Sequence, residues 1–343
     1  MVANIMKFKV NPLALASGLA AIVAATVTFG VPAVKSQNTA TVKIDGSSTV
    51  FPISEAVAED FQNANRNVNV TVGVSGTGGG IKKFCAGEID IANASRPIKA
   101  EEMEVCKKAG IQFIELPIAY DALTVVVNSQ NPISKLTFAE LKKMWEKDAQ
   151  GKIKNWNQVN PSWPNAPLNL YGPGADSGTF DYFTEVINGK AKESRGDYTA
   201  SEDDNVLVQG ISRDRNSLGY FGYAYYEANQ KRLKAVPIAK KDGDTPVMPS
   251  VETVKNNSYP LSRPLLIYVS AKAADRPEIK QFIQFYLSQA PRLVTEVQYI
   301  PLPDQAYQLA GQHFNNKKLG SVFVGRSTVG ISIEELLRLE TTL

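Results

Sequence analysis

Val68-Asn69-Val70-Thr71-Val72-Gly73-Val74 places a valine at every second position, and Ser75-Gly76-Thr77-Gly78-Gly79-Gly80 leads from it into Ile81-Lys82-Lys83-Phe84. Strict alternation reads as a strand with one buried face. The glycine run reads as a tight loop, and Ile81 to Phe84 as the start of a helix. Strand, glycine loop, helix is the unit of an α/β fold, whose ligand sites lie at the carboxyl ends of the strands.

Two further stretches share that loop's chemistry. Gly46-Ser47-Ser48-Thr49 follows a short strand at Val42 to Ile44 and precedes Pro52, Ile53, Val57 and Phe61 at helical spacing. Asp176-Ser177-Gly178-Thr179 follows a strand at Leu168 to Tyr171 and precedes Phe180, Phe183 and Ile187. A helix N-terminus carries unpaired N–H groups and partial positive charge, which suits an anion. Ser and Thr add hydroxyl donors, and Gly lets the backbone come close. One such loop is ordinarily just an N-cap; three of one chemistry point to a small oxyanion held among several helix ends.

Between and after these loops the pattern continues as α/β. Strands are expected at Ile89 to Ala92, Ile111 to Leu116, Leu123 to Val127, Leu218 to Tyr226 and Leu265 to Val269. Helices are expected at Lys99 to Lys108, from the capping box Thr137-Phe138-Ala139-Glu140 to Glu146, and at Ile279 to Leu287. Lys152 to Pro167 reads as a loop, with Trp145, Trp156 and Trp163 packing locally around it. The first two anion loops precede Tyr120 and the third follows it, so a shared site requires two lobes around a cleft. The chain would cross near Ala122–Asn128 and return near Tyr259–Tyr268.

The N-terminus is set apart. Lys7 and Lys9 precede an uncharged stretch from Val10 to Val34, with Pro32 and small residues at its end. This reads as a secretory signal peptide over residues 1–37, although the run is also long enough for an uncleaved anchor. The formal charge of +3 is matched by Lys7, Lys9 and Lys35, so the exported part is close to neutral. Nucleic-acid binding therefore has no electrostatic support. Cys85 and Cys106 are the two cysteines. In an exported chain an even pair favours a disulfide over buried thiols. The signal region has no cysteine for a lipid anchor.

Much catalytic chemistry is missing. His313 is the single histidine, far from the glycine loops, and reads as a surface or capping residue. No GxxxxGK[ST] loop, GxGxxG fingerprint or GxSxG elbow is present, and Ser177 has no base beside it. A secreted phosphatase or esterase is thus the weaker alternative, and no cofactor or metal is expected.

The loops resemble those of a known family. Ile44-Asp45-Gly46-Ser47-Ser48-Thr49-Val50-Phe51-Pro52, Ser75 to Gly80 and Gly174-Ala175-Asp176-Ser177-Gly178-Thr179-Phe180 are similar to the PstS family, the phosphate-binding subunits of phosphate ABC importers. Asp90 to Pro97, Ala119-Tyr120-Asp121 and Tyr259-Pro260-Leu261-Ser262-Arg263-Pro264-Leu265 are similar to its SphX-like branch. The resemblance implies a periplasmic, monomeric, two-lobed type II solute-binding protein that hands inorganic phosphate to permease subunits in the inner membrane. It implies lobe 1 over 38–122 and 264–343 and lobe 2 over 123–263. Carried over, the site is Ser48, Thr49, Val50, Ser75, Thr77, Ser95, Ser177, Gly178 and Thr179. The family's aspartate after the third strand and its arginine before the third loop have no counterparts here. Arg96 is therefore the expected charge partner, and Asp121 or Asp176 the expected proton acceptor. These departures leave sulfate or arsenate as alternative ligands.

Overall fold

The computed structural model describes residues 39–324 and 331–342. The expected signal segment lies outside the described residues.

Three strand–helix units open the fold. β1 (Ala40–Gly46) leads to α1 (Phe51–Ala64), β2 (Val68–Val72) to α2 (Gly76–Cys85), and β3 (Ile91–Ala94) to α3 (Ala100–Lys108). β1 pairs in parallel with β2 on one side and β3 on the other. The alternation at Val68 and Val70 buries those side chains, whereas Val74 lies beyond the strand end and is exposed. α2 begins at Gly76, earlier than the sequence suggests, so the glycine-rich loop is itself the first helical turn.

The two strands expected around Tyr120 are one. β4 (Phe113–Asn128) runs for 16 residues, all buried. Pro117 and Asp121 break its apolar pattern, which is why the sequence reads as two pieces. Pro117 lacks an N–H, and the register against the neighbouring strand slips at that point, between Leu265 and Leu266.

The chain then builds a second group. β5 (Leu136–Thr137) and α4 (Phe138–Trp145) follow, with Thr137 forming the expected capping box. The segment read as a loop contains α5 (Trp156–Val159), a single turn capped by Asn155. Trp156 packs edge-on against Trp163 at 5.8 Å. β6 (Asn169–Pro173), α6 (Gly178–Asn188), β7 (Thr199–Ser201), α7 (Asp204–Arg213) and β8 (Ser217–Gly222) come next. The tyrosine-rich strand stops at Gly222, and its remainder is α8 (Tyr223–Glu227). β9 (Leu233–Ala235), β10 (Ile238–Ala239) and α9 (Val251–Lys255) lead to β11 (Ser262–Ser270).

β11 returns antiparallel to both β3 and β4. Strand order is β2-β1-β3-β11-β4-β8-β6-β7, with β9 on β4 and a separate β10-β5 pair. β4 exchanges partners along its length: Phe113 to Ala122 lie against β11, and Leu123 to Val127 against β8. Two strand–helix groups thus share one crossing strand.

α10 (Pro277–Glu296), α11 (Asp304–Asn315) and α12 (Ile333–Glu340) complete the described chain. α10 starts on a proline, where the missing N–H costs nothing, and runs nine residues past the expected end at Leu287. It tolerates Pro291 inside because Ala290, Leu293 and Val294 are buried. His313 is a correction to the sequence reading: it is buried, with Nδ1 at 3.1 Å from Glu340 Oε2 on α12. None of the described helices is long and apolar enough to cross a membrane.

Cys85 at the end of α2 and Cys106 in α3 form a disulfide across 21 positions. On the chain-entropy view such a loop contributes roughly 3 kcal/mol.

Glu115 on β4 is wholly buried and accepts hydrogen bonds from the Tyr268 hydroxyl at 2.7 Å and the Val322 amide at 2.9 Å. Burial pushes its carboxyl up to about 7, against those hydrogen bonds. The unfolded chain releases this proton near the ordinary value of 4.5, before the folded one does. Stability should therefore fall as pH rises through the window between those values, by on the order of 3 kcal/mol once both states are ionised. Denaturant titrations from pH 4 to 8 should show that slope, and Glu115→Gln should reduce it.

Candidate functional site

The three loops end on helix N-termini that meet. Val50 precedes α1, Ser75 precedes α2 and Ser177 precedes α6. Thr77 and Thr179 both occupy the second position of their helices. Ser48, Thr49, Val50, Thr77, Ser95, Ser177, Gly178 and Thr179 are all buried. The Thr49 and Thr179 hydroxyls lie 3.1 Å apart, and those of Thr77 and Ser95 lie 3.2 Å apart. The Ser95 amide donates to Thr77 Oγ1 at 3.1 Å, and Ser177 caps α6 by accepting the Thr179 amide at 3.1 Å.

Glycines set how closely the loops approach. Gly76 has φ +73°, and a Cβ on it would lie 2.5 Å from the Asp176 carbonyl oxygen. The neighbouring Gly78 amide donates to that oxygen at 2.8 Å, which ties the second loop to the third. A Cβ on Gly178 would lie 2.4 Å from Thr77 Oγ1 and 2.6 Å from Ser95 Oγ. Only a bare backbone fits there.

Two predicted residues face elsewhere. Ser75 Oγ donates to Asp45 Oδ1 at 2.7 Å, and Lys83 also holds that carboxylate. Asp176 is exposed and offers the site its carbonyl rather than its side chain.

Arg96 is enclosed by carboxylates. Its Nε donates to Asp181 Oδ2 at 2.6 Å, and Nη1 and Nη2 donate to the two Glu102 oxygens at 2.8 and 2.7 Å. Nη1 also donates to the Pro97 carbonyl at 2.9 Å. Burial works against this charge, but Glu102 and Asp181 hold the guanidinium more firmly ionised than usual. Lys99 Nζ lies 3.0 Å from the same Asp181 oxygen. Arg96 therefore joins the start of α3 to α6, held by Asp181, Glu102 and the Pro97 carbonyl rather than by any of the three loops.

The guanidinium facing the third loop is Arg263 on β11, which is fully buried. Its Nη2 donates to Thr179 Oγ1 at 2.7 Å and to Asp121 Oδ2 at 3.1 Å, and Nη1 donates to the Gly178 carbonyl at 3.2 Å. It lies 5.3 Å from the centre of the Tyr182 ring. Asp121 is equally buried and accepts the Tyr223 amide at 3.1 Å. Burial pushes the Asp121 carboxyl up, while Arg263 and that amide pull it down. Because Arg263 occupies a lone pair of Thr179, the threonine's own proton is directed away from the guanidinium, toward Thr49 Oγ1 3.1 Å away. Such chains polarise one another and aim donors into the space they enclose.

Sequence reasoning passed over Arg263 although a signal was present. It is a charged residue inside the apolar run Leu261 to Val269, and a buried Arg requires partners. Asp181 carried no such signal, since an acid in a first helical turn is ordinary.

The chain as a whole is similar to known proteins. A profile described as a PBP superfamily domain matches residues 32–290. The chain is 59% identical over 302 residues to Protein SphX of Synechococcus elongatus, covering 88% of this chain and 89% of that one. The chain belongs to the PBP superfamily, in the family of SphX and PstS. It is 40% identical over 270 residues to the phosphate-binding protein PstS of Staphylococcus saprophyticus, covering 78% of this chain and 82% of that one. A structure described as a putative phosphate ABC transporter substrate-binding protein with bound phosphate, from Clostridium perfringens, is 30% identical with TM-score 0.65. It covers 77% of this chain and 100% of that one. The fold is accordingly the two-lobed α/β type II binding fold of this family, as the sequence suggests.

Gly178→Ala should keep the helix, since Ala is the better helix former. It should wedge the second and third loops apart. We expect at least a tenfold loss of anion affinity by calorimetry, with an unchanged far-ultraviolet spectrum.

Proposed function

We propose that this chain binds inorganic phosphate in an exported compartment and delivers it to the permease of an ABC importer, without catalysing a reaction. The observation that carries the reading is the meeting of three helix N-termini, with five buried Thr and Ser hydroxyls, beside a buried arginine. Hydroxyl and N–H donors at helix ends are the chemistry an oxyanion demands. The relatives named above as phosphate-binding proteins support the choice of anion. The Lys7–Val34 pattern supports export.

In this reading Thr49, Thr77, Ser95, Ser177 and Thr179 supply hydroxyls, and Ser48, Val50, Gly178 and their neighbours supply backbone N–H groups. Arg263 takes the part expected of Arg96. Arg96 instead fixes α6 through Asp181. We place the lobe boundary where β4 changes partners, at Ala122 and Leu123, with the return at Arg263 and Pro264. Lobe 1 then comprises 38–122 and 264–343, and lobe 2 comprises 123–263.

A ligand that binds only the folded state stabilises it by mass action, about 4 kcal/mol at a thousandfold excess over Kd. Phosphate-stripped protein should melt several degrees higher in millimolar phosphate; an unmoved melt would count against the reading. Arg263→Lys should weaken phosphate at least tenfold in calorimetric titration, because an ammonium cannot hold Thr179, Gly178 and Asp121 together. An unchanged affinity in that variant would show that the hydroxyls and helix ends hold the anion alone.

A further inference from the structure

The end of β7 is drawn against the third anion loop. β6 and β7 pair in parallel, with Pro173 opposite Ser201, and the Gly174 amide donates to the Ser201 carbonyl at 3.1 Å. The pairing therefore runs one residue past β6, and Glu202 comes to lie beside Gly174. A turn fixes it there, because the Ser201 hydroxyl accepts the Asp203 amide at 3.0 Å and also lies 3.0 Å from the Asp203 carbonyl oxygen. Asp203 then caps α7 by accepting the Asn205 amide at 2.9 Å.

The Glu202 side chain fills the space that two glycines leave. A Cβ on Gly174 would lie 2.1 Å from Glu202 Oε1, and one on Gly76 would lie 2.8 Å from Oε2. The carboxylate thus stands between the third loop and the first residue of α2. Its Oε1 accepts the Asp176 amide at 3.1 Å. Asp176 is held on its other side as well, since its carbonyl accepts the Gly78 amide at 2.8 Å. Both polar backbone atoms of Asp176 are committed, one to Glu202 and one to α2. The next residue is Ser177, the cap of α6.

Glu202 Oε2 is buried and has no hydrogen-bond partner among the described residues. Burial pushes the carboxyl up; the Asp176 amide opposes that rise, and the Asp176 carboxylate adds to it. A buried acceptor left unpaired is costly, so stability alone does not account for a carboxylate in this place.

We propose that Glu202 is a positioning residue for anion binding. By holding the Asp176 amide it aims the Asp176 carbonyl at the Gly78 amide, and so sets the spacing of the second and third anion loops. It acts through the Asp176 backbone rather than on the anion. The proposal rests on the phosphate-binding reading above.

The test is calorimetric titration with phosphate of phosphate-stripped wild type, Glu202→Ala, Glu202→Gln, Gly174→Ala and the Gly174→Ala/Glu202→Ala double variant. Glu202→Ala should bind phosphate at least about tenfold more weakly. Glu202→Gln keeps an oxygen for the Asp176 amide and should recover most of that loss. Gly174 lies outside the left-handed region, and the three atoms nearest its Cβ position all belong to Glu202. Alanine there should therefore displace the Glu202 side chain and weaken phosphate by a similar factor. Both changes break one contact, so the losses should not multiply, and the double variant should bind within about threefold of either single one. Full affinity in a folded Glu202→Ala, no recovery in Glu202→Gln, or multiplied losses in the double variant overturns the proposal and leaves phosphate binding intact. Wild type that binds no phosphate overturns both. Should Glu202→Ala not fold, Glu202→Ser replaces it with the same expectations. If neither variant folds, the residue's role is structural and the proposal fails.

Discussion

The buried pair of Arg263 and Asp121 is the interaction on which the rest of this molecule depends. It joins β11 to β4 close to where β4 leaves one group of strands for the other. A buried ion pair by itself is weak support for stability, because desolvation offsets the attraction. Here each partner has further bonds. Asp121 is bound by the amide that opens α8, and Arg263 reaches the first turn of α6. Removing either member would strand a charge in the interior, at a cost of about 3–5 kcal/mol. The pair thus ties the crossing strands to the third anion loop in one network.

The α/β class was legible because Val68, Val70 and Val72 alternate before a glycine run, and because two more Ser/Thr/Gly loops precede helical spacing. Those signals are local. The disulfide was legible from export and an even cysteine count, and the structure forms it. The continuity of β4 was not legible, since a proline and an aspartate interrupt an apolar run and only the slip on β11 absorbs them. The tyrosines after Gly222 read as strand by propensity, but tertiary packing makes them a helix whose Tyr225 reaches Ser48.

The site was legible in its backbone parts and less so in its charges. Thr49, Thr77 and Thr179 announce themselves by sitting at helix starts, where hydroxyls and small residues have a reason to be. Which cation faces them depends on partners distant in sequence. Arg96 is adjacent to Ser95 in the chain, yet Glu102 and Asp181 claim its guanidinium. Arg263, 84 positions beyond Thr179, supplies the contact. No pattern of spacing contains that information, because it is created when β11 is laid against β4.

The uninterrupted β4 also constrains how a ligand could leave. Because β4 and β11 pair side by side on both flanks of the slip at Pro117, the two strand–helix groups are joined by a paired ribbon rather than by a loose tether. Separation must come from twisting a two-stranded ribbon about its own length, and the arginine–aspartate pair lies at the pivot. Torsion of a hydrogen-bonded ribbon is stiff and springs back. Anything that pulled the two groups apart would have to grip both at once and work against that torsion.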